Sequence, residues 1–180
     1  REGDLDYVRA LAEEFGYAVA PTATREQAGE RVSSTWIRAA LAEADFDSAE
    51  RLLGRPFEMA GRVQHGQKLG RQLNAPTANI ALHRIRSPLH GVYAVNVSGG
   101  GLRNASAVAN VGVRPTIGES LEATLEVHVL EGSPDLYGER LTVRFRRKLR
   151  DEQKFPSLDA LKEGIAADKA NARAWLADHG

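Results

Sequence analysis

The sequence predicts a mainly β fold, a six-stranded antiparallel barrel closed off by a C-terminal α-helix and preceded by a mostly helical segment. Three observations carry that prediction. Short β-rich runs follow one another between residues 56 and 150 with turns and no helical pattern between them. In the last of these runs Leu141, Val143 and Phe145 alternate with Thr142, Arg144 and Arg146, the mark of a strand with one wet face. On either side of this region the apolar period changes to that of a helix.

The N-terminal elements come first. Leu5, Val8, Leu11, Ala12 and Phe15 recur at helical spacing, and Gly16 is placed to stop that helix. Tyr17–Ala20 reads as a short strand. Ser33-Ser34-Thr35 offers an N-cap for a helix over 36–44, and Asp45 or Asp47 caps another that ends near Gly54. Gly54-Arg55-Pro56 breaks the pattern and is the expected domain boundary, with residues 1–54 on one side and 55–180 on the other. Beyond it lie β-rich runs at Val63, Gly91–Val97, Ala105–Val113, Leu121–Leu130 and Arg140–Leu149. Ser98-Gly99-Gly100-Gly101 reads as the hairpin turn between two of them. From Ser157, a plausible N-cap, Leu158, Leu161, Ile165, Ala166, Ala170 and Trp175 return to the helical period.

Composition narrows the function. The 180 residues are 42% hydrophobic and 27% charged, enough to bury a core. The 24 basic residues balance the 24 acidic ones, which removes the main electrostatic reason to expect nucleic acid or an anionic membrane as partner. No cysteine is present, so thiolate catalysis, disulfides and cysteine-ligated metals are excluded. No apolar run approaches the ~18–20 residues of a membrane span, and the charged start Arg1-Glu2-Gly3-Asp4 is no signal peptide. The expectation is a soluble cytoplasmic protein, with a monomer as a reasonable form and the oligomeric state left open. A chain that starts without Met inside a helical pattern is expected to be a fragment.

Four segments have the composition of a site. Gly61 to Arg71 combines glycines with three cations around Gly66 and Lys68, the mixture that phosphate binding needs. It departs from a Walker A loop, because Gln67 precedes Lys68 and no Ser or Thr follows, so a basic glycine-rich turn is the alternative. In Pro76-Thr77-Ala78-Asn79 an extended backbone turns Thr77 and Asn79 the same way. Their neutral oxygens suit Mg²⁺ shared with nucleotide phosphates, and the alternative is a turn with local hydrogen bonds. Thr124, Glu126 and His128 share one strand face, where Glu126 is either a solvated outer-face residue or a carboxylate aimed into a barrel mouth as a general base. Finally, Asp135-Leu136-Tyr137-Gly138 precedes a run from Arg144 to Arg150 that carries five basic residues and leads to Phe155. That run is a solvated strand face, or else Arg150, Phe155 and Tyr137 offer a cation and aromatic surface to a planar ligand.

The order of these segments is more specific than any one of them. Gly-x-Val-x-His-Gly-x-Lys-Leu-Gly-Arg from Gly61, Pro-Thr-Ala-Asn from Pro76, Gly91-Val92-Tyr93, Asn110-Val111-Gly112-x-Arg114-Pro115-Thr116, Glu126-x-His128, Asp135-Leu136-Tyr137-Gly138 and Leu149-Arg150-x-Glu152-x-x-Phe155 closely resemble the riboflavin kinase domain over residues ~55–177. Val32-Ser33-Ser34-Thr35-x-Ile37-Arg38 is similar to the tail of the α/β FMN adenylyltransferase domain that precedes this kinase in bacterial bifunctional FAD synthetases.

The resemblance implies a Greek-key barrel that phosphorylates riboflavin with ATP and Mg²⁺, giving FMN and ADP. Gly66 and Lys68 would hold the ATP phosphates, with Thr77 and Asn79 binding Mg²⁺ and phosphate oxygens. Glu126 would be the base, and Tyr137, Arg150 and Phe155 would hold the flavin. Two departures matter. Asn74 stands where the family often has Gly, and none of the five histidines forms the His-x-Gly-His motif of the adenylyltransferase. Residues 1–54 are therefore expected to be a remnant without FAD synthesis, in which Ser33, Ser34, Thr35 and Arg38 serve as a helix N-cap rather than contact ATP. The alternative function is a non-catalytic flavin- or nucleotide-binding barrel.

Overall fold

The computed structural model describes residues 5–20, 26–27, 30–64, 77–82, 87–115 and 121–179. Their contacts divide the chain into two compact units, Arg1–Ser33 and Ser34–Gly180. In the first, α1 (Leu5–Phe15) is amphipathic, and its apolar Leu5, Val8 and Phe15 are exposed. Two short antiparallel strands follow, β1 (Glu26–Gln27) and β2 (Glu30–Arg31). Residues 17–20, expected as a strand, have no regular structure. Among the described residues no strand pairs with them, and a strand without a partner leaves its ladder groups unsatisfied.

The second unit opens with α2 (Ser34–Ala42) and α3 (Phe46–Leu53). Asp45 is the N-cap of α3, its carboxylate accepting from the Ser48 N–H at 2.9 Å, and Gly54 closes the helix in the left-handed conformation. Both helices precede the breaker at Gly54-Arg55-Pro56, and Leu41, Phe46 and Ala49 are buried in one core with the barrel residues. The Phe46 ring stacks on Phe145 at 6.1 Å and meets Tyr93 edge-on at 6.0 Å, so that α3 plugs one end of the barrel.

Six strands close that barrel: β3 (Glu58–Gln64), β4 (Ala78–Ala81), β5 (Gly91–Gly99), β6 (Leu102–Pro115), β7 (Leu121–Val129) and β8 (Arg140–Arg150), in the order β3-β4-β7-β6-β5-β8. Every pairing is antiparallel. β5, β6 and β7 form a meander, and β8 returns to lie beside β5, which is the Greek-key connection. The turn at 99–101 joins β5 to β6 with all three glycines at positive φ, as its sequence requires. β4 has no counterpart among the β-rich runs of the sequence. It is four residues long and follows Pro76-Thr77, so its alternation is too short to read.

Alternation assigns the two faces. Ile80, Tyr93, Val95, Ala107, Ala109, Val111, Leu125, Val127, Leu141 and Val143 point inward and are buried. Their neighbours point outward. On β5 the outward Val92, Ala94 and Asn96 are buried as well, because α4 (Leu158–His179) lies across β5, β6 and β8. A second apolar cluster of Ala94, Leu130, Ala172 and Leu176 with Val108, Leu149 and Trp175 joins this helix to the barrel wall. Ser157 caps α4, accepting from the Ala160 N–H at 3.1 Å.

The Asp45 cap is testable. Removing its hydrogen bond in Asp45→Ala should lower stability by about 1 kcal/mol in urea unfolding. The bonds from Ser48 hold the Asp45 carboxyl below the usual carboxylate value. A depressed folded value means that its stabilisation is present at neutral pH and is lost as the pH falls through that value. Asp45→Asn should keep most of the cap and lose this acid-dependent part.

Candidate active site

A mostly apolar cavity of about 310 Å³ lies between the outer wall of the barrel and α4. Its lining includes Thr77, Asn110, Glu126, His128, Arg150, Glu152, Phe155 and Asp168. Pockets of this size hold small molecules. Two readings had been open for Glu126, a solvated outer face or the mouth of the barrel. The register decides for the outer face, since Leu125 and Val127 occupy the interior, and α4 with the segment before it roofs that face. The interior is filled with side chains, and the cavity lies outside it.

Cross-strand register builds the polar floor. Glu126 on β7 stands opposite Asn79 on β4 and opposite Asn110 on β6, so three polar side chains form one row across three strands. Thr77, two residues before Asn79, borders the cavity, whereas Asn79 adjoins it through its register partner Glu126. Glu126 and His128 are half-buried.

Arg150 organises the other wall. As the last residue of β8, it donates from Nε and Nη2 to the two carboxylate oxygens of Asp168 on α4, at 2.9 and 2.7 Å. Nη1 donates to the Asp151 carbonyl at 2.9 Å. Its guanidinium lies over the Phe155 ring, 5.4 Å from the centroid. Asp168 is 6% exposed, and this bidentate pair fixes the geometry of Arg150 more than it offers a free cation. Phe155 in turn packs against Gly164, where a Cβ would come within 2.5 Å of the ring. Only a glycine lets the ring sit that close to α4.

Tyr137, expected beside Arg150 and Phe155, is not in this cavity. Asp135 accepts from the Tyr137 N–H at 3.2 Å, and Gly138 donates to the Val63 carbonyl at 3.1 Å, so the Asp-Leu-Tyr-Gly turn is tied to β3. Tyr137 is 54% exposed there and lines a smaller depression with Gln64, Asp135 and, again, Thr77. The two depressions thus share Thr77. Gly66 and Lys68 lie outside the described residues. Asp168 and Gly164 carry no signal in the sequence, and Asn110 stands there only as the first residue of the motif Asn110–Thr116, with no role attached. Asp168 sits on a helix in an ordinary run of charges, and its role follows from which residue of β8 it meets.

Comparison with known proteins follows the same lines. The family model described as flavokinase, riboflavin kinase, matches residues 53–176. A bifunctional riboflavin kinase/FMN adenylyltransferase of Pseudomonas fluorescens is 56% identical over 98% of this chain, which covers 57% of that protein. One of Escherichia coli strain K12 is 47% identical, with 98% of this chain and 56% of the relative covered. The chain thus spans little more than half the length of these curated relatives. A crystal structure described as a macrolide-efflux protein from Streptococcus pneumoniae has a TM-score of 0.72 at 33% identity, covering 93% of this chain and 55% of that one. Among the described residues no helix is long and apolar enough to cross a membrane.

Asp168→Ala should leave the Arg150 guanidinium without its carboxylate and lower stability by about 1–3 kcal/mol in urea unfolding. Asp168→Asn, which keeps one acceptor, should fall between the variant and the parent.

Proposed function

The chain belongs to the riboflavin kinase family, and from that premise we propose that it transfers the γ-phosphate of ATP to the ribityl 5′-hydroxyl of riboflavin, giving FMN and ADP. One observation supports this most directly. Glu126 stands between a neutral-oxygen edge, Thr77 and Asn79, and a cavity walled by Phe155 and Arg150. A carboxylate in that position reaches a hydroxyl whose carrier lies in the cavity and whose target lies at the edge.

Phosphoryl transfer passes through a loose transition state, so alignment and charge neutralisation matter more than covalent help. In this reading the flavin ring lies against Phe155 and the apolar side chains of α4, with Arg150 held edge-on by Asp168. The polyol chain runs along the polar row toward Glu126. The 5′-oxygen forms its bond to the γ-phosphorus while the bond to the ADP oxygen breaks, and the hydroxyl proton passes to Glu126. Thr77 and Asn79 position the phosphates, joined by Gly66 and Lys68. Tyr137, in the depression that shares Thr77, borders the nucleotide rather than the flavin.

The donor set fits Mg²⁺. The Thr77 hydroxyl and the Asn79 amide are hard neutral oxygens on one side of β4, and no cluster of three His, Cys, Asp or Glu is found among the described residues. An ion held by these residues would complete its coordination with phosphate and water oxygens and would supply charge neutralisation on the triphosphate.

A balanced, cysteine-free chain suits the cytoplasm, where ATP is supplied. FAD synthesis is not assigned to these 180 residues, because none of the five histidines stands in a His-x-Gly-His motif. A non-catalytic binding barrel would have no use for a carboxylate beside the phosphate edge, so the catalytic reading is preferred.

Incubation with riboflavin, ATP and Mg²⁺ should yield FMN, separated by chromatography; no FMN would defeat the proposal. Glu126→Ala should cut turnover by roughly 10²–10⁴-fold, the range for a general base, while riboflavin still binds. Thr77→Ala and Asn79→Ala should each weaken Mg²⁺-ADP binding in calorimetry. Unaltered affinity in both would remove these residues from the nucleotide end.

A further inference from the structure

Asn110 on β6 has an amide whose orientation is set by its neighbour. Its Nδ2 donates to Oε1 of Glu152 at 3.1 Å. An ionised carboxylate can only accept, so the amide must turn its NH₂ to Glu152 and its oxygen away. Glu152 can stand there because residue 112 is glycine: a Cβ on Gly112 would come within 2.5 Å of the same Oε1. The Asn110 Oδ1 that results is buried and has no hydrogen-bond partner among the described residues. Buried polar atoms are almost always paired, so an orphan acceptor on a cavity wall points to a donor that arrives with a ligand.

Position identifies the donor. Asn110 lines the cavity and stands directly opposite Glu126, one cross-strand spacing away. It belongs to the polar row Asn79-Glu126-Asn110, along which the polyol runs in the reading above. A group that presents an O–H to Glu126 and a second donor to Asn110 carries two hydroxyls a few ångström apart on one chain. We propose that Asn110 is a specificity-determining residue that accepts a hydrogen bond from a hydroxyl of the substrate's polyol chain, and that Glu152 is the positioning residue that holds its amide in the accepting orientation. This rests on the kinase reading above and adds to it how the polyol is told from other substituents on the same ring.

The test compares two ligands on the full chain, riboflavin and lumiflavin, which has the same ring with a methyl group in place of the polyol. Affinities are read from quenching of flavin fluorescence, with thermal unfolding as the control for folding. Asn110→Ala should weaken riboflavin binding about 10-fold, equivalent to about 1.4 kcal/mol, and leave lumiflavin within two-fold. Glu152→Gln, whose amide can donate as well as accept, releases the constraint on Asn110 and should show a smaller loss with the same selectivity. If Asn110→Ala does not fold, the near-isosteric Glu152→Gln decides by the same comparison. Equal loss for both flavins would overturn the assignment in favour of a ring contact, and unchanged riboflavin affinity would overturn it outright. If the unsubstituted protein quenches neither flavin, the kinase reading itself fails, and the assignment with it.

Discussion

Six strands enclose too little space for a ligand. A closed barrel of eight is just wide enough for its own side chains or for one small ligand, and here Tyr93, Phe145, Leu125, Leu141 and a set of valines fill the smaller interior completely enough to be buried. The cavity of about 310 Å³ lies on the outer face, which in a free-standing barrel would be open to water. α4 changes that. Laid across β5, β6 and β8, it converts a convex wall into one side of a cavity, and residues that alternation sends outward become a sheltered floor.

The clasp between Arg150 and Asp168 links the two sides of that cavity. Arg150 is where β8 ends, and Asp168 is in the middle of α4. Between them the chain runs through Glu152 and Phe155, so the ion pair closes a short loop that carries one polar and one aromatic wall residue. Phe155 is then seated by Gly164 and Glu152 by Gly112, each a position where a methyl group would push the side chain out. The segment is shaped by the absence of two side chains as much as by the presence of others. Its electrostatic character is also moderated: a bidentate carboxylate leaves Arg150 oriented and largely compensated, which suits a neutral planar ring better than a bare cation would.

Much of this was legible from residue order. The alternation in Leu141–Arg146, the glycine turn at 99–101, and the caps at Asp45 and Ser157 all act over a few residues, and each was found where local chemistry placed it. Asn79 lies on a strand, as the extended reading of Pro76–Asn79 requires. What stayed hidden was long-range. The separation of Tyr137 from Phe155 depends on hydrogen bonds from the 135–138 turn to β3, and no spacing along the chain reports them. The packing of α2 and α3 with the barrel depends on Phe46 finding Phe145 and Tyr93, across gaps of 99 and 47 residues in sequence number.

By itself the sequence determined the helical period of the flanking segments, the two alternating faces of the 124–130 and 141–146 runs, and a family-specific order of short motifs. These are properties of neighbouring residues, governed by backbone geometry and side-chain volume. Only the tertiary structure decided that Glu126 faces a roofed outer wall, that Asn79 and Asn110 flank it, and that Asp168 and Glu152 hold Arg150 and Asn110 in place. The physical reason is that barrel register and helix docking are settled by the joint packing of distant segments, so the partner of a given side chain is fixed only when all six strands have closed.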